Sequence, residues 1–205
     1  MLLAAAAAAA QTPAPSPVIH AGSLNYSYSL PSDWEVLDSR PMAPVVKQEQ
    51  SQTAASEAEK KGIECVQLVL TARHGDPASV VVMVELPYTC FGQTMSEKDL
   101  PGFAEGAAEG LKKSFDVSDA TYGAYTLGTH GFWIERAKGA VIGHPEATYT
   151  VEVACSLLKQ GAVCWMTMAK DAATLQVFEQ GAVMLDGETA PALVPASAFE
   201  KKAAQ

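Results

Sequence analysis

Two cysteines stand at mirror positions about a short polar turn. Thr148 to Leu157 and Ala162 to Ala169 read as β runs, and with Lys159–Gln160 at the tip of the turn Cys155 falls directly opposite Cys164. Val153 then faces Met166 and Val151 faces Met168, so a side-chain period of two gathers all six on one apolar face. Glu152 opposite Thr167 and Ala154 opposite Trp165 occupy the other face. No other stretch limits the fold as much, because it demands an antiparallel sheet and offers a cross-strand covalent link. A register shifted by two, to a Gln160–Gly161 turn, keeps the faces but moves Cys155 away from Cys164.

The rest of the chain is mostly short β segments punctuated by Gly and Pro. Leu24, Tyr26, Tyr28 and Leu30 alternate with Asn and Ser, then Pro31-Ser32-Asp33 turns into a second strand, Trp34 to Leu37. Glu64 to Arg73, a His74-Gly75-Asp76-Pro77 turn and Ser79 to Leu86 form a further hairpin, in which Val66, Leu68 and Leu70 can face Val80, Val82, Val84 and Leu86. Strands follow near Tyr122 to Leu127 and Gly131 to Lys138. Lys47 to Lys61 has helix-forming composition without an apolar stripe, which fits an exposed helix or an ordered loop.

One amphipathic helix is expected over Asp99 to Phe115, where Leu100, Phe103, Ala104, Ala107, Ala108, Leu111 and Phe115 share a face. Asp99 is placed to cap it, Pro101 fits the first turn, and Lys112 and Lys113 suit the negative end of the helix dipole. Gly102, Gly106 and Gly110 share the opposite face at about 1 kcal/mol each relative to Ala. They mark either a close-packed contact or a marginal helix held by its buried side. A last helix is expected from an Asp171 cap through Leu175, Val177 and Phe178, ending before Asp186-Gly187.

Cys65, Cys90, Cys155 and Cys164 form an even set without a Cys-x-x-Cys spacing, which argues for disulfides over a zinc ribbon or a thioredoxin-type centre. The 155–164 register leaves Cys65 to pair with Cys90. Four reduced, buried thiols acting as small hydrophobes is the competing reading. An oxidising address agrees with the start of the chain, where the uncharged Leu2-Leu3 and Ala4 to Ala10 run precedes a Pro-rich stretch ending at Pro17. This reads as a signal peptide over 1–10 cleaved after Ala10, with a spacer over 11–21, although only the Met1 amino group supplies the usual positive charge. The apolar run is about half of the ~20 residues that span a bilayer, so no stable membrane insertion is expected. A single α+β domain over 22–187 and a loosely held tail over 188–205 complete the division. Delivery to the periplasm or secretion follows.

A net charge of −9, from 14 basic and 23 acidic residues without a basic stripe, argues against nucleic acid and anionic membranes as partners. No catalytic residue, metal site or cofactor is expected: there is no Gly-x-Ser-x-Gly elbow, no phosphate-binding glycine loop and no cluster of metal ligands. His74, His130 and His144 fall in or beside turns, and His130 and His144 belong to opposite ends of a sheet. His144 with Glu146 suits a weak surface ion at most. Asn25-Tyr26-Ser27 matches a glycosylation sequon, a short pattern with many accidental hits. Trp34, Trp133 and Trp165 are the candidate binding surface, against the alternative that each is sheet packing.

The order of these elements, with the opening Tyr28-Ser29-Leu30-Pro31-Ser32-Asp33-Trp34-Glu35-Val36 hairpin, the central hairpin, the long helix, strands including Gly131-Phe132-Trp133 and a closing helix, resembles the PsbP-like superfamily over most of residues 22 to 186. The resemblance implies a mainly antiparallel sheet flanked by helices, an α/β/α sandwich, in a non-enzymatic exported accessory protein. Such a protein binds another protein or a small ligand on a sheet face or rim. The four cysteines lie outside that family pattern. The alternatives are a small extracytoplasmic hydrolase with a site assembled from distant residues, and an envelope component that binds a structural polymer through exposed aromatics.

Overall fold

The computed structural model describes residues 18–20, 23–30, 32–38, 56–76, 78–112, 114–127, 130–171, 173–175, 183–185, 188–190 and 200–201. The leader, the spacer up to residue 17 and most of the polar stretch from 39 to 55 lie outside them. The described chain is α+β and mostly antiparallel sheet. Its large sheet runs in the order β12-β6-β7-β8-β9-β5-β4-β3. The strands are β3 (Glu35–Val36), β4 (Gln67–His74), β5 (Ser79–Pro87), β6 (Phe115–Leu127), β7 (His130–Val141), β8 (His144–Leu158), β9 (Gly161–Ala169) and β12 (Glu200–Lys201). A smaller sheet orders β1 (Val18–His20), β2 (Tyr26–Ser29), β10 (Val183–Leu185) and β11 (Glu188–Ala190) as β1-β2-β10-β11. The segment over 188–190, assigned to the tail on sequence, thus pairs with β10, and Glu200–Lys201 pairs with Tyr122 and Thr121.

The β8–β9 hairpin has the register that alternation predicts: Cys155 opposite Cys164, Val153 opposite Met166, and Glu152 opposite Thr167. The β4–β5 hairpin departs from expectation. A register shift between Leu68 and Leu70 inserts an extra residue, so Leu70 pairs with Met83 and Ala72 with Val81. A bulge of this kind switches faces partway along a strand. Val66 and Leu68 therefore do not share a face with Leu70 along the whole hairpin.

Both faces of the large sheet are covered. Leu24, Tyr26, Tyr28, Leu30 and Trp34 pack onto Leu70, Ala72, Val81, Met83, Ile134 and Trp165, so the alternation read along Leu24 to Leu30 is the inward face of the small sheet. Burying large apolar side chains of this kind stabilises by roughly 1.5–3 kcal/mol each. The opening segment is not a hairpin, however: β2 pairs with β1 and β10, whereas β3 pairs with β4. The chain between them crosses from one sheet to the other.

The opposite face carries the helices α1 (Glu57–Cys65), α2 (Tyr88–Phe91) and α3 (Leu100–Lys112). From α3, Leu100, Phe103, Ala104, Ala107, Ala108 and Leu111 pack against Val153, Cys155, Cys164 and Trp133. Helix α1 covers the end of the polar stretch and continues through Cys65, which shortens the strand expected from Glu64. Two further boundaries move. Ser96 rather than Asp99 opens the α3 region, through a capping box in which the Ser96 hydroxyl and backbone N–H both donate to the Asp99 carboxylate at 2.6 and 2.9 Å. Phe115 belongs to β6, where it packs edge-on against Tyr149. At the last predicted helix, a turn over 173–175 is capped by Asp171, whose Oδ1 accepts from the Thr174 N–H at 2.8 Å; Val177 and Phe178 lie outside the described residues. No helix among the described residues is long and apolar enough to cross a membrane.

Candidate functional site

The four cysteines form two disulfides, Cys65–Cys90 with Cα atoms 5.5 Å apart and Cys155–Cys164 at 4.2 Å. The second joins directly opposed residues of β8 and β9 beneath α3, and both its cysteines are fully buried. The first ties the end of α1 to α2, with Cys65 in a small cluster with Leu86 and Ala162. Both lie toward the end of the sheet where Pro87 pairs with Gly161 and Leu158 turns into β9. All four cysteines being paired fits an oxidising environment.

The three tryptophans do not make one surface. Trp34 and Trp165 are buried between the two sheets at 5% and 1% exposure, while Trp133 lies on the helix-covered face, stacked on Tyr122 with ring centroids 5.7 Å apart. Trp34 instead stacks on His74 at 5.7 Å, and His74 Nε2 lies 2.9 Å from Asp33 Oδ2. Trp133 and Trp165 stand in strands as expected, and Trp34 just precedes β3; what alternation along one strand does not give is which faces become covered.

The inner face between the sheets carries charge. Arg136 on β7 and Glu152 on β8 are neighbours across the ladder, and Glu152 Oε2 accepts from Arg136 Nε at 3.0 Å and also from Nη2. Both are buried, Glu152 completely. Loss of solvent pushes the Glu152 carboxyl up to about 7, with Arg136 holding it back from rising further. The opposed Thr167 hydroxyl is buried without a hydrogen-bond partner among the described residues. Closer to the disulfides, Glu85 is also buried, with the Ser23 hydroxyl donating to its Oε1 at 2.8 Å. Burial likewise raises the Tyr26 and Tyr28 phenols.

Two open depressions lie at the other end of the large sheet. The first, about 480 Å³, is formed where the β2–β3 connection meets the β4–β5 tip. It is lined by Asp33, Glu35, Arg73, His74 and Asp76, with Arg73 Nε donating to Glu35 Oε2 at 2.7 Å. The Asp33–His74 pair resembles a base held by an orienting carboxylate, but the residues lining this depression offer no hydroxyl or thiol beside it. The second, about 410 Å³, spans β6, β7 and β8 and is lined by Asp116, Ser118, Lys138, Thr148, Tyr149, Thr150 and Lys170. Lys170 Nζ lies 5.7 Å from the centroid of the Tyr149 ring. Lys138 Nζ donates to Asp119 Oδ2 at 3.0 Å.

Neither depression is anticipated by sequence. His74 was recognisable as a turn residue, but its meeting with Asp33 and Trp34 depends on strands brought together over some 40 positions. Lys138, Thr148, Thr150 and Lys170 sit on three separate elements, and no local spacing links them. His144 and Glu146 do approach, Nδ1 to Oε1 at 3.4 Å, on exposed chain. Among the described residues no group of three or more His, Cys, Asp or Glu side chains is placed to hold a metal ion. No protein-family model matches the chain, and no curated protein matches it either.

Proposed function

We propose that this is an exported, disulfide-braced accessory protein that acts by binding, on a PsbP-like framework, and that its contact surface is the end of the large sheet remote from the disulfides. The observation that carries the reading is the division of the molecule. Both covalent links lie toward one end, and both charged depressions, the second also bearing hydroxyls, open at the other. A rigid scaffold presenting connections and strand ends is the usual arrangement for recognition. Helices on one face of the large sheet support that framework, while among the described residues the other face is covered by the small sheet rather than by helices.

Binding is favoured over hydrolysis by the lining of the Asp33–His74 depression, which pairs a candidate base with no neighbouring nucleophile. The test combines location, redox state and activity. Expressed in a bacterial host, the protein should be recovered from the periplasmic fraction as a species beginning near Gln11. It should take up no alkylating label before reduction and four labels after it. A full-length cytosolic product with labelled thiols would overturn export. Turnover of ester, peptide or phosphate substrates that is abolished by His74→Ala would overturn the non-enzymatic reading.

A further inference from the structure

The depression over β6, β7 and β8 is marked by two departures from regular pairing. One register shift lies between Ser118 and Thr121, the other between Ala140 and Val141. In the first, Asp119 is the one non-glycine among the described residues with positive φ, at 52°. That left-handed conformation is uncommon outside glycine and better tolerated by Asp than by branched residues. Here it accompanies the Asp119 ion pair to Lys138. Bulges concentrate where a side chain must be re-aimed beside a site, and both shifts of these strands border this depression.

The chemistry of the lining is specific in kind. Ser118, Thr148 and Thr150 supply three hydroxyls that both donate and accept, Lys138 and Lys170 supply ammonium donors, and Asp116 supplies an acceptor. With Asp119 at Lys138, two carboxylates balance two ammonium groups, so the basin is close to neutral within a strongly acidic chain. A net-neutral surface dense in both donors and acceptors complements a ligand with the same mixture and no charge. An anionic polymer would meet Asp116 and Asp119.

We infer that this basin binds a neutral, hydroxyl-rich glycan, held by hydrogen bonds from the Thr148, Thr150 and Ser118 hydroxyls and the Lys170 ammonium. The inference rests on the binding role proposed above and names the class of ligand for one of its two depressions.

The test is amide chemical-shift mapping of the oxidised, full chain titrated with chitohexaose, cellohexaose and maltohexaose to millimolar concentration, with oligogalacturonate as the anionic control. At least one neutral oligosaccharide should shift amides of residues 116–118, 138–140, 148–150 and 170. Thr150→Val and Lys170→Ala, which leave the cores untouched, should each weaken that binding by about three- to tenfold, the worth of one hydrogen bond. No shift in those amides with any neutral sugar would overturn the assignment. So would shifts there with oligogalacturonate alone, or affinity unchanged in both variants. Sugar-induced shifts confined to residues 33–35 and 73–76 would also overturn it while leaving the binding role intact, whereas cleavage of the oligosaccharide would overturn the binding role itself.

Discussion

Glu152 shows how much a single position can hold. It lies in the middle of the large sheet with no exposed surface and shares one oxygen with two Arg136 donors. Its carboxyl is raised from 4.5 to about 7 in the folded protein, so between those values the native state holds a proton that the unfolded chain releases. The Glu152 contribution to stability is therefore fully present below the ordinary carboxylate value, is lost as pH rises toward about 7 and levels off above it. The full difference is at most about 3 kcal/mol. Asp99 and Asp171, both exposed and lowered by the hydrogen bonds they accept from Ser96 and Thr174 respectively, act in the opposite sense and at lower pH, where their contribution is lost on acidification. Urea denaturation between pH 4.5 and 8 should show the decline in the native protein and a nearly flat profile in Glu152→Gln; equal slopes in the two would show that Glu152 is not the titrating group. The pairing of Glu152 with Thr167 was legible from the hairpin. Its burial was not, because the cover on that face comes from the segment around Leu24 to Trp34, more than a hundred residues earlier.

At the level of elements, α3 and the β8–β9 turn respond to glycine in opposite ways. The outer face of α3 is open among the described residues: a methyl added at Gly102, Gly106 or Gly110 meets none of them within 4 Å. The glycine row is thus a weakness in helix propensity tolerated by a well-buried inner face, and the close-packed alternative finds no support in this geometry. At Gly161 an added Cβ would stand 2.7 Å from the Leu86 carbonyl oxygen and 2.7 Å from Leu24 Cδ2, so backbone must shift. Gly106→Ala should raise stability by about 0.5–1 kcal/mol. Gly161→Ala should lower it by about 1–3 kcal/mol, the range typical of overpacking. Thermal and urea unfolding of the pair read both effects, and a neutral Gly161→Ala would mean that the junction of Leu24 with β5 and β9 yields more easily than its spacing suggests. Sequence located this helix and the β8–β9 register because both depend on contacts between near neighbours. It failed at the β4 bulge, which has no marker in Leu68-Val69-Leu70, and at the opening segment, whose two strands find partners in different sheets.

On the scale of the whole molecule, two disulfides secure a sheet packed between helices and a second sheet. Loop entropy assigns about 3.5 kcal/mol to Cys65–Cys90, closing 25 residues, and about 2.5 kcal/mol to Cys155–Cys164, closing nine. Replacing each pair by alanines should lower urea stability in that order; a larger loss at 155–164 would show that the cavity left under α3 outweighs loop length. The disulfide pairing, with the oxidising environment it fits, and the sheet class were legible from the cysteines and the strand alternation. The arrangement of layers and the depressions were not, since they depend on which distant strands become neighbours. The two loops closed by the disulfides follow one another along the chain and do not interleave. Every cysteine is bonded to the one next to it in order of emergence, so a chain delivered from its N-terminus can seal the first loop before Cys155 appears. Oxidation in order of arrival then yields the native pairing directly, an advantage that a fully reduced chain refolding with all four thiols present at once does not share.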